Sequence, residues 1–174
     1  MAKKVSLDEL NGSARDVFVH IVGPVFEHSP WIAKTTFAKK PFADFASLHR
    51  ALCATVRNSG EEQQLALIRA HPDLVGRLAL AGKLTSESTS EQASAGLDRL
   101  SPEEIALFQK NNADYQNKFG FPFIICARLN KQEAILRGFE TRLKNSREQE
   151  ISTALEEIFK IAELRLRDLI FPAV

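Results

Sequence analysis

One histidine of this sequence has a setting that suits acid–base chemistry. His71 follows a helical pattern that starts at Glu61, and Pro72 comes directly after it. Because proline disfavours helical dihedrals in the residue before it, the helix is predicted to end at His71. An imidazole titrates near neutral pH, and this one would be held on a stiff backbone. The alternative interpretation is a histidine that only ends a helix, near the negative end of its dipole.

A second group of polar side chains lies in the run Ser88-Thr89-Ser90-Glu91-Gln92. Ser88 and Glu91 have the spacing of a capping box, which predicts a helix that begins at Ser88. A helix start also gathers backbone N–H groups, a hydroxyl, a carboxylate and an amide in a small volume. Such a set could bind a polar, urea-like ligand as well as cap the helix. The cap is the interpretation that the sequence alone favours, and the two are compatible.

The last helix, predicted to begin at Ser146 and to end near Ile170, carries Arg165 on an otherwise apolar stripe. The other members of the stripe are Ile151, Leu155, Ile158, Ala162 and Leu169. We predict that the side chain points inward, toward the same cavity as His71 and Glu91, and that its planar group binds an anionic or carbonyl-bearing ligand. A structural ion pair or a snorkelling arginine is the alternative. Because leucine would complete the stripe, the sequence predicts that Arg165→Leu is tolerated.

A third constellation combines Asn112 and Tyr115 with an aromatic run that follows Gly120. Gly120 is predicted to end a helix. Residues 121–127 are strand-like, but a lone strand has nothing to pair with, so we expect a buried turn. Phe123 would form a wall of a pocket into which the following backbone amides point. Plain core packing is the alternative.

Composition and pattern together predict an all-α protein. The chain has 174 residues, 44% hydrophobic and 26% charged, with a net charge of +1. This balance gives no electrostatic footprint for nucleic acid or anionic lipid. Every clear periodicity is helical, which predicts a compact single-domain multi-helix bundle over residues 1–174. Ser101-Pro102-Glu103-Glu104 is the strongest helix-start signal.

Several function classes find no support in the sequence. Cys53 and Cys126 form no disulfide framework, and the spacings typical of zinc sites and phosphate loops are missing. We see no signal peptide and no stretch of membrane-spanning length, so a cytoplasmic protein is expected. An enzyme with this sequence would work without a metal or cofactor.

Four stretches in order resemble the 2-oxo-4-hydroxy-4-carboxy-5-ureidoimidazoline (OHCU) decarboxylases of urate degradation. His71-Pro72-Asp73-Leu74 is similar to that family's histidine motif, and Leu84-Thr85 through Ser88, Glu91-Gln92 and Ala95-Gly96-Leu97 to its second motif. Lys118-Phe119-Gly120-Phe121-Pro122-Phe123 is similar to its third motif, and Arg165 falls where the family has an arginine on its last helix.

The resemblance implies an all-helical homodimer that forms (S)-allantoin and carbon dioxide without a cofactor or metal. It implies that His71 is the catalytic acid. Glu91 is the second catalytic candidate, as a base or as a clamp. Substrate contacts are expected from Pro72, Ser88, Thr89, Ser90, Gln92, Phe123, Ile124, Ile125, Cys126, Ala127 and Arg165. Association with a hydroxyisourate hydrolase of the same pathway is a possible partnership.

Two other functions fit the same residues. One is a different ureide lyase or hydrolase that uses the pair His71 and Glu91 without releasing carbon dioxide. The other is a non-catalytic helical interaction protein, in which the motifs are only caps and core.

Overall fold

The all-α class is confirmed by a computed structural model of the chain, which describes residues 4–171 apart from the side chain of Leu78. An isolated parallel bridge joins Val5 and Ile170, and the described residues contain no β-strand. The α-helices are α1 Leu7–Gly12, α2 Arg15–Val22, α3 Trp31–Thr36, α4 Phe45–Arg57, α5 Glu61–Ala70, α6 Arg77–Leu80, α7 Ser86–Ser94, α8 Pro102–Phe119, α9 Gln132–Arg142 and α10 Arg147–Leu169. Short 3-10 helices span Gly23–Val25, Phe37–Lys39 and Ala127–Leu129.

Helix α8 begins and ends where local chemistry predicts. The Ser101 hydroxyl accepts a hydrogen bond from the backbone N–H of Glu104 at 3.2 Å, and the Glu104 carboxylate accepts one from the Ser101 N–H at 2.7 Å. Pro102 occupies the first helical position. Gly120 ends the helix with a φ of 79°, a left-handed conformation that costs glycine little.

The capping box predicted at Ser88 is wrong, because α7 begins one turn earlier. Thr85 is the N-cap residue, with an extended backbone, and its hydroxyl accepts from the N–H of Ser88 at 3.2 Å. Three hydroxyl residues precede Thr89 within one turn, and only the residue with an extended backbone can act as the cap. Glu91 therefore lies in the middle of α7 rather than in its first turn.

The chain divides into two compact units, and α10 contributes residues to both. The first unit comprises residues 4–70 and 159–171. In it, α3 packs against α2 and α4, and the capping box of Asp44 and Ser47 starts α4. Its core includes Phe18, Val22, Phe26, Ile32, Leu48, Leu52, Val56, Leu67 and Leu166. In the part of the chain that the structure describes, no helix is long and apolar enough to cross a membrane.

The second unit, residues 71–158, has an aromatic core. The Phe123 ring stacks on Phe139 with centroids 3.9 Å apart, and Tyr115 meets Phe123 edge-on at 5.2 Å. Phe121 is also buried. As predicted, the strand-like run forms no strand: residues 121–126 are a largely buried non-helical segment, and Ala127 begins the 3-10 helix that follows. That residues 1–174 make up one domain stays a prediction.

Candidate functional site

His71 lies where the sequence predicts it, directly after the last residue of α5. Its side chain is buried, with 7% of its surface exposed. Residues 71–76 form an irregular loop. Within this loop Val75 has a φ of 54°, a left-handed conformation in which a β-branched residue is a genuine outlier. The imidazole is thus carried by a short loop with an unusual backbone.

Gln92 on α7 ties this loop to the polar helix. Its side-chain carbonyl accepts a hydrogen bond from the N–H of Val75 at 3.0 Å, and its NH₂ group donates to the carbonyl oxygen of Asp73 at 3.3 Å. The sequence reasoning assigned Gln92 to the substrate. In the structure, its amide bonds the backbone that follows His71, so it links α7 to the histidine loop. Its contact with substrate stays a prediction.

Helix α8 holds the same loop from another direction. The Asn112 side chain donates to the carbonyl oxygen of Leu74 at 2.8 Å. The Gln116 side chain donates to both carboxylate oxygens of Asp73, at 2.9 and 3.0 Å. Burial raises the pKa of Asp73 above its ordinary value, and the Gln116 bond opposes that rise. The sequence singles out Asn112 as a candidate residue, but it does not predict that Asn112 binds the histidine loop.

Helix α7 also packs against the 3-10 helix Ala127–Leu129, which follows the predicted amide segment. Burial raises the pKa of the Cys126 thiol, and the charges of Glu157 and Glu91 add to the rise. Both carboxylates therefore lie near Cys126. The second unit thus packs α7, which carries Glu91 and Gln92, against the 3-10 helix that begins at Ala127.

The sequence reasoning missed Glu157. Its carboxylate accepts a hydrogen bond from the backbone N–H of Cys126 at 2.8 Å. The Cys126 amide was expected to point into a pocket, and in the structure it donates to this side chain. Nothing in the local pattern of α10 distinguishes Glu157 from the other carboxylates of that helix. A substrate contact of Cys126 stays a prediction.

The remaining residues of the predicted site differ in exposure. Ser88 is buried, whereas Thr89 and Ser90 are exposed, and the Thr89 hydroxyl donates to the carbonyl oxygen of Thr85 at 2.9 Å. Partly exposed positions are Pro72, Glu91 and Ile125; buried ones are Phe123, Ile124 and Ala127. Their contacts with substrate stay predictions.

A buried ion pair supports the Phe123 segment, and it too was missed. The Arg142 Nε donates to Glu150 at 2.8 Å, and its Nη1 donates to the carbonyl oxygen of Ile124 at 2.5 Å. The guanidinium also lies over the Phe123 ring, 4.3 Å from its centroid. Tyr115 donates its hydroxyl to the same carboxylate, and burial together with that bond raises its pKa. Burying both charges is energetically favourable only because each group forms several hydrogen bonds.

In the first unit, Arg165 points inward, as the stripe predicts, with 4% of its surface exposed. Its guanidinium forms an ion pair with the buried carboxylate of Glu27, 2.9 Å away. Its Nη1 also lies 3.5 Å from the carbonyl oxygens of Pro24 and Val25. A structural ion pair, one of the alternatives, is thus present. That Arg165 also faces the cavity of His71 and binds substrate stays a prediction.

Among residues 4–171, no group of three or more His, Cys, Asp or Glu side chains is arranged to hold a metal ion. The carboxylates that the second unit brings near the histidine loop and residues 123–127 are those of Asp73, Glu91 and Glu157. An imidazole and several carboxylates, supported by amide side chains, can orient a polar ring and transfer a proton.

Comparison with known proteins gives a consistent result. Residues 11–167 match the family model described as OHCU decarboxylase. The 2-oxo-4-hydroxy-4-carboxy-5-ureidoimidazoline decarboxylase of Halalkalicoccus jeotgali is 43% identical over 169 residues, which are 97% of this chain and 94% of that protein. The uric acid degradation bifunctional protein PucL of Bacillus subtilis is 36% identical over 95% of this chain and 33% of that protein. A crystal structure of an (S)-allantoin synthase superposes with a TM-score of 0.75 at 27% identity. That match covers 95% of this chain and 54% of the longer chain.

Proposed function

The chain belongs to the OHCU decarboxylase family and decarboxylates 2-oxo-4-hydroxy-4-carboxy-5-ureidoimidazoline in urate degradation, and we propose that His71 is the general acid of this reaction. The match over nearly the whole chain favours this function over another ureide lyase or hydrolase and over a non-catalytic interaction protein. One observation carries the assignment of His71. Its loop is tied through Gln92 to the helix that carries Glu91, so a proton donor and a carboxylate belong to one arrangement.

The chemistry requires one proton and a stabilised negative charge. When the bond to the carboxylate breaks, carbon dioxide leaves and the electron pair stays on the ring, where the carbonyl groups delocalise it. A proton must then reach one face of the ring carbon to give (S)-allantoin. Protonated His71 would supply it and recover a proton from water afterwards. A positioned general acid contributes roughly 10²–10⁴ in rate.

We propose that the remaining polar groups orient the ring. Glu91 and Ser88 suit the N–H and C=O groups of the ureido chain and the ring, because they combine an acceptor with a hydroxyl that can donate or accept. Arg165 suits the developing anion, as its planar guanidinium can donate two parallel hydrogen bonds. The buried, apolar Phe123 would exclude water from one face. The proposed route uses no cofactor.

The experiment uses freshly generated substrate, because the ureidoimidazoline decays spontaneously to racemic allantoin. Urate oxidase and hydroxyisourate hydrolase produce it from urate in the cuvette. We expect His71→Asn to fold normally and to lose roughly 10²–10⁴ in kcat, since asparagine retains polarity but cannot act as an acid. His20→Asn, at an exposed histidine of α2, is the matched control. Wild-type turnover in a folded His71→Asn protein would contradict the assignment.

The assembly and location of the chain are part of the proposal. We propose a homodimer in the cytoplasm, and an association with hydroxyisourate hydrolase. The bifunctional protein of Bacillus subtilis, to which the chain is similar over a third of that protein's length, supports an association of activities within this pathway. Sedimentation equilibrium of the chain, alone and mixed with the hydrolase, would test both interactions.

A further inference from the structure

We propose that Asn112 is a positioning residue for His71, and that it acts by holding the histidine loop in a conformation the loop would not keep alone; this rests on the proposed function of His71. The residue lies on α8, 41 positions after the histidine, and no sequence motif connects them. Its side chain is buried, and it donates to the carbonyl oxygen of Leu74 at 2.8 Å.

The loop needs such support because its backbone is strained. Val75, directly after Leu74, has a φ of 54°. In this region the Cβ of a non-glycine residue lies too close to its own backbone, and branching at Cβ makes the conformation worse. Strained residues of this kind persist only where the surroundings over-determine them. Position 76 is also restricted, to glycine, because the Cβ of any other residue would lie 2.7 Å from the Cβ of Asp73.

The two amide side chains hold the strained residue from both sides. Asn112 holds the carbonyl oxygen of Leu74, which belongs to the peptide group that precedes Val75. Gln92 accepts from the N–H of Val75 in that same peptide group at 3.0 Å. One peptide plane is thus fixed at its oxygen by α8 and at its nitrogen by α7. Its rotation, the motion that would relax Val75, would break both bonds together.

The orientation of the Asn112 amide is settled by its partner. Its NH₂ group faces the Leu74 carbonyl, whereas its own oxygen, Oδ1, is buried with no hydrogen-bond partner among residues 4–171. The opposite orientation would place two acceptor oxygens against each other. The Asn112 amide therefore acts only as a hydrogen-bond donor. Replacing it by an apolar side chain of the same size removes the bond to Leu74 and no other side-chain hydrogen bond.

His71 lies three residues before the fixed carbonyl, and only Pro72 and Asp73 separate them. If the peptide plane rotates, the imidazole moves with the loop. Displacement of a reacting group by about 1 Å can reduce a rate by 10²-fold. Because proton delivery occurs in the transition state and not in substrate binding, the loss is expected in kcat and not in KM.

The test compares Asn112→Leu with Asn117→Leu, the same substitution at an exposed position of the same helix. We expect Asn112→Leu to lose roughly 10- to 100-fold in kcat with KM changed less than about threefold, and Asn117→Leu to match wild type. Val75→Gly removes the strain, since glycine adopts positive φ readily. Combined with Asn112→Leu, it should restore most of the lost kcat. An unchanged kcat in Asn112→Leu, or a loss that Val75→Gly does not reverse, would overturn the proposal.

A second measurement needs no substrate and separates this proposal from the decarboxylase function. Hydrogen exchange of the Val75 amide should accelerate at least roughly tenfold in Asn112→Leu and stay unchanged in Asn117→Leu, because loop opening exposes that N–H. Unchanged protection would refute the anchor, whatever the activity. If the wild-type protein has no decarboxylase activity but exchange accelerates in Asn112→Leu as expected, the proposed function of His71 is wrong. The proposal that Asn112 holds the loop is then still supported. If Asn112→Leu does not fold, the smaller Asn112→Ala takes its place in both measurements.

Discussion

Replacing Arg165 by leucine should destabilise the protein strongly, although the apolar stripe of α10 alone suggests the opposite. The structure provides the reason. The carboxylate of Glu27 is 2% exposed and lies 2.9 Å from the guanidinium. Leucine would complete the stripe, but it would remove the guanidinium from beside that buried carboxylate. The expectation that Arg165→Leu is tolerated is therefore reversed.

The magnitude follows from the burial of both partners. Removing one member of a buried ion pair costs about 3–5 kcal/mol, because the other charge stays buried after losing its counter-charge. For a chain of 174 residues, each kcal/mol shifts Tm by about 2–4 °C. We therefore expect a Tm lower by about 6–20 °C. Replacing both residues in a Glu27→Leu, Arg165→Leu double variant should recover most of that loss, since apolar replacement of a whole buried pair is often neutral or stabilising.

Thermal and urea unfolding, followed by circular dichroism, measure these differences. Arg137→Leu is the control, because its ion pair with Glu133 spans 4.0 Å and its members are 69% and 90% exposed. Such surface pairs contribute about 0–1 kcal/mol, so this variant should unfold close to wild type. An Arg165→Leu protein as stable as wild type, or a double variant no more stable than Arg165→Leu, would refute this reasoning. Loss of the ion pair would then not determine the stability of the Arg165→Leu protein.

Three further predictions concern the second unit. Glu91→Gln should unfold like wild type, because glutamine is a good helix former in the middle of α7, yet kcat/KM should fall about 10- to 100-fold in the substrate assay. Arg142→Lys keeps the charge but loses the planar group that reaches both Glu150 and Ile124. Steady-state kinetics should therefore give a lower kcat/KM for Arg142→Lys, whereas the control Arg137→Lys should match wild type. Asp73 has a raised pKa in the folded state, so its stability penalty is present at neutral pH and disappears as the pH falls toward its ordinary value of 3.8. Asp73→Asn should therefore raise Tm at pH 7 and lose that advantage near pH 3.5; a gain that does not depend on pH would contradict the shift.

Elements governed by neighbouring residues were predictable from the sequence. The start of α8 at Ser101 and its end at Gly120 depend on hydrogen bonds and dihedrals within a few residues. The end of α5 before Pro72 has the same local origin. The start of α7 was misplaced because several hydroxyl residues compete there, and only the backbone conformation decides between Thr85 and Ser88.

Contacts between distant residues could not be predicted in this way. The stripe of α10 shows that Arg165 must point inward, but nothing near it reveals Glu27, 138 residues away along the chain. The bond from Asn112 to Leu74 spans 38 residues, and the one from Cys126 to Glu157 spans 31. Such partners are set by tertiary packing, which periodicity and capping rules do not encode.

The stereochemistry of the product tests the central claim most directly. Urate is converted with urate oxidase and hydroxyisourate hydrolase, the chain is added, and the allantoin is followed by circular dichroism. If His71 delivers a proton to one face of the ring, (S)-allantoin should accumulate with wild type faster than the spontaneous decay, and the signal should fall to the uncatalysed rate with His71→Asn. Racemic allantoin formed at the spontaneous rate in the presence of wild type would contradict the account.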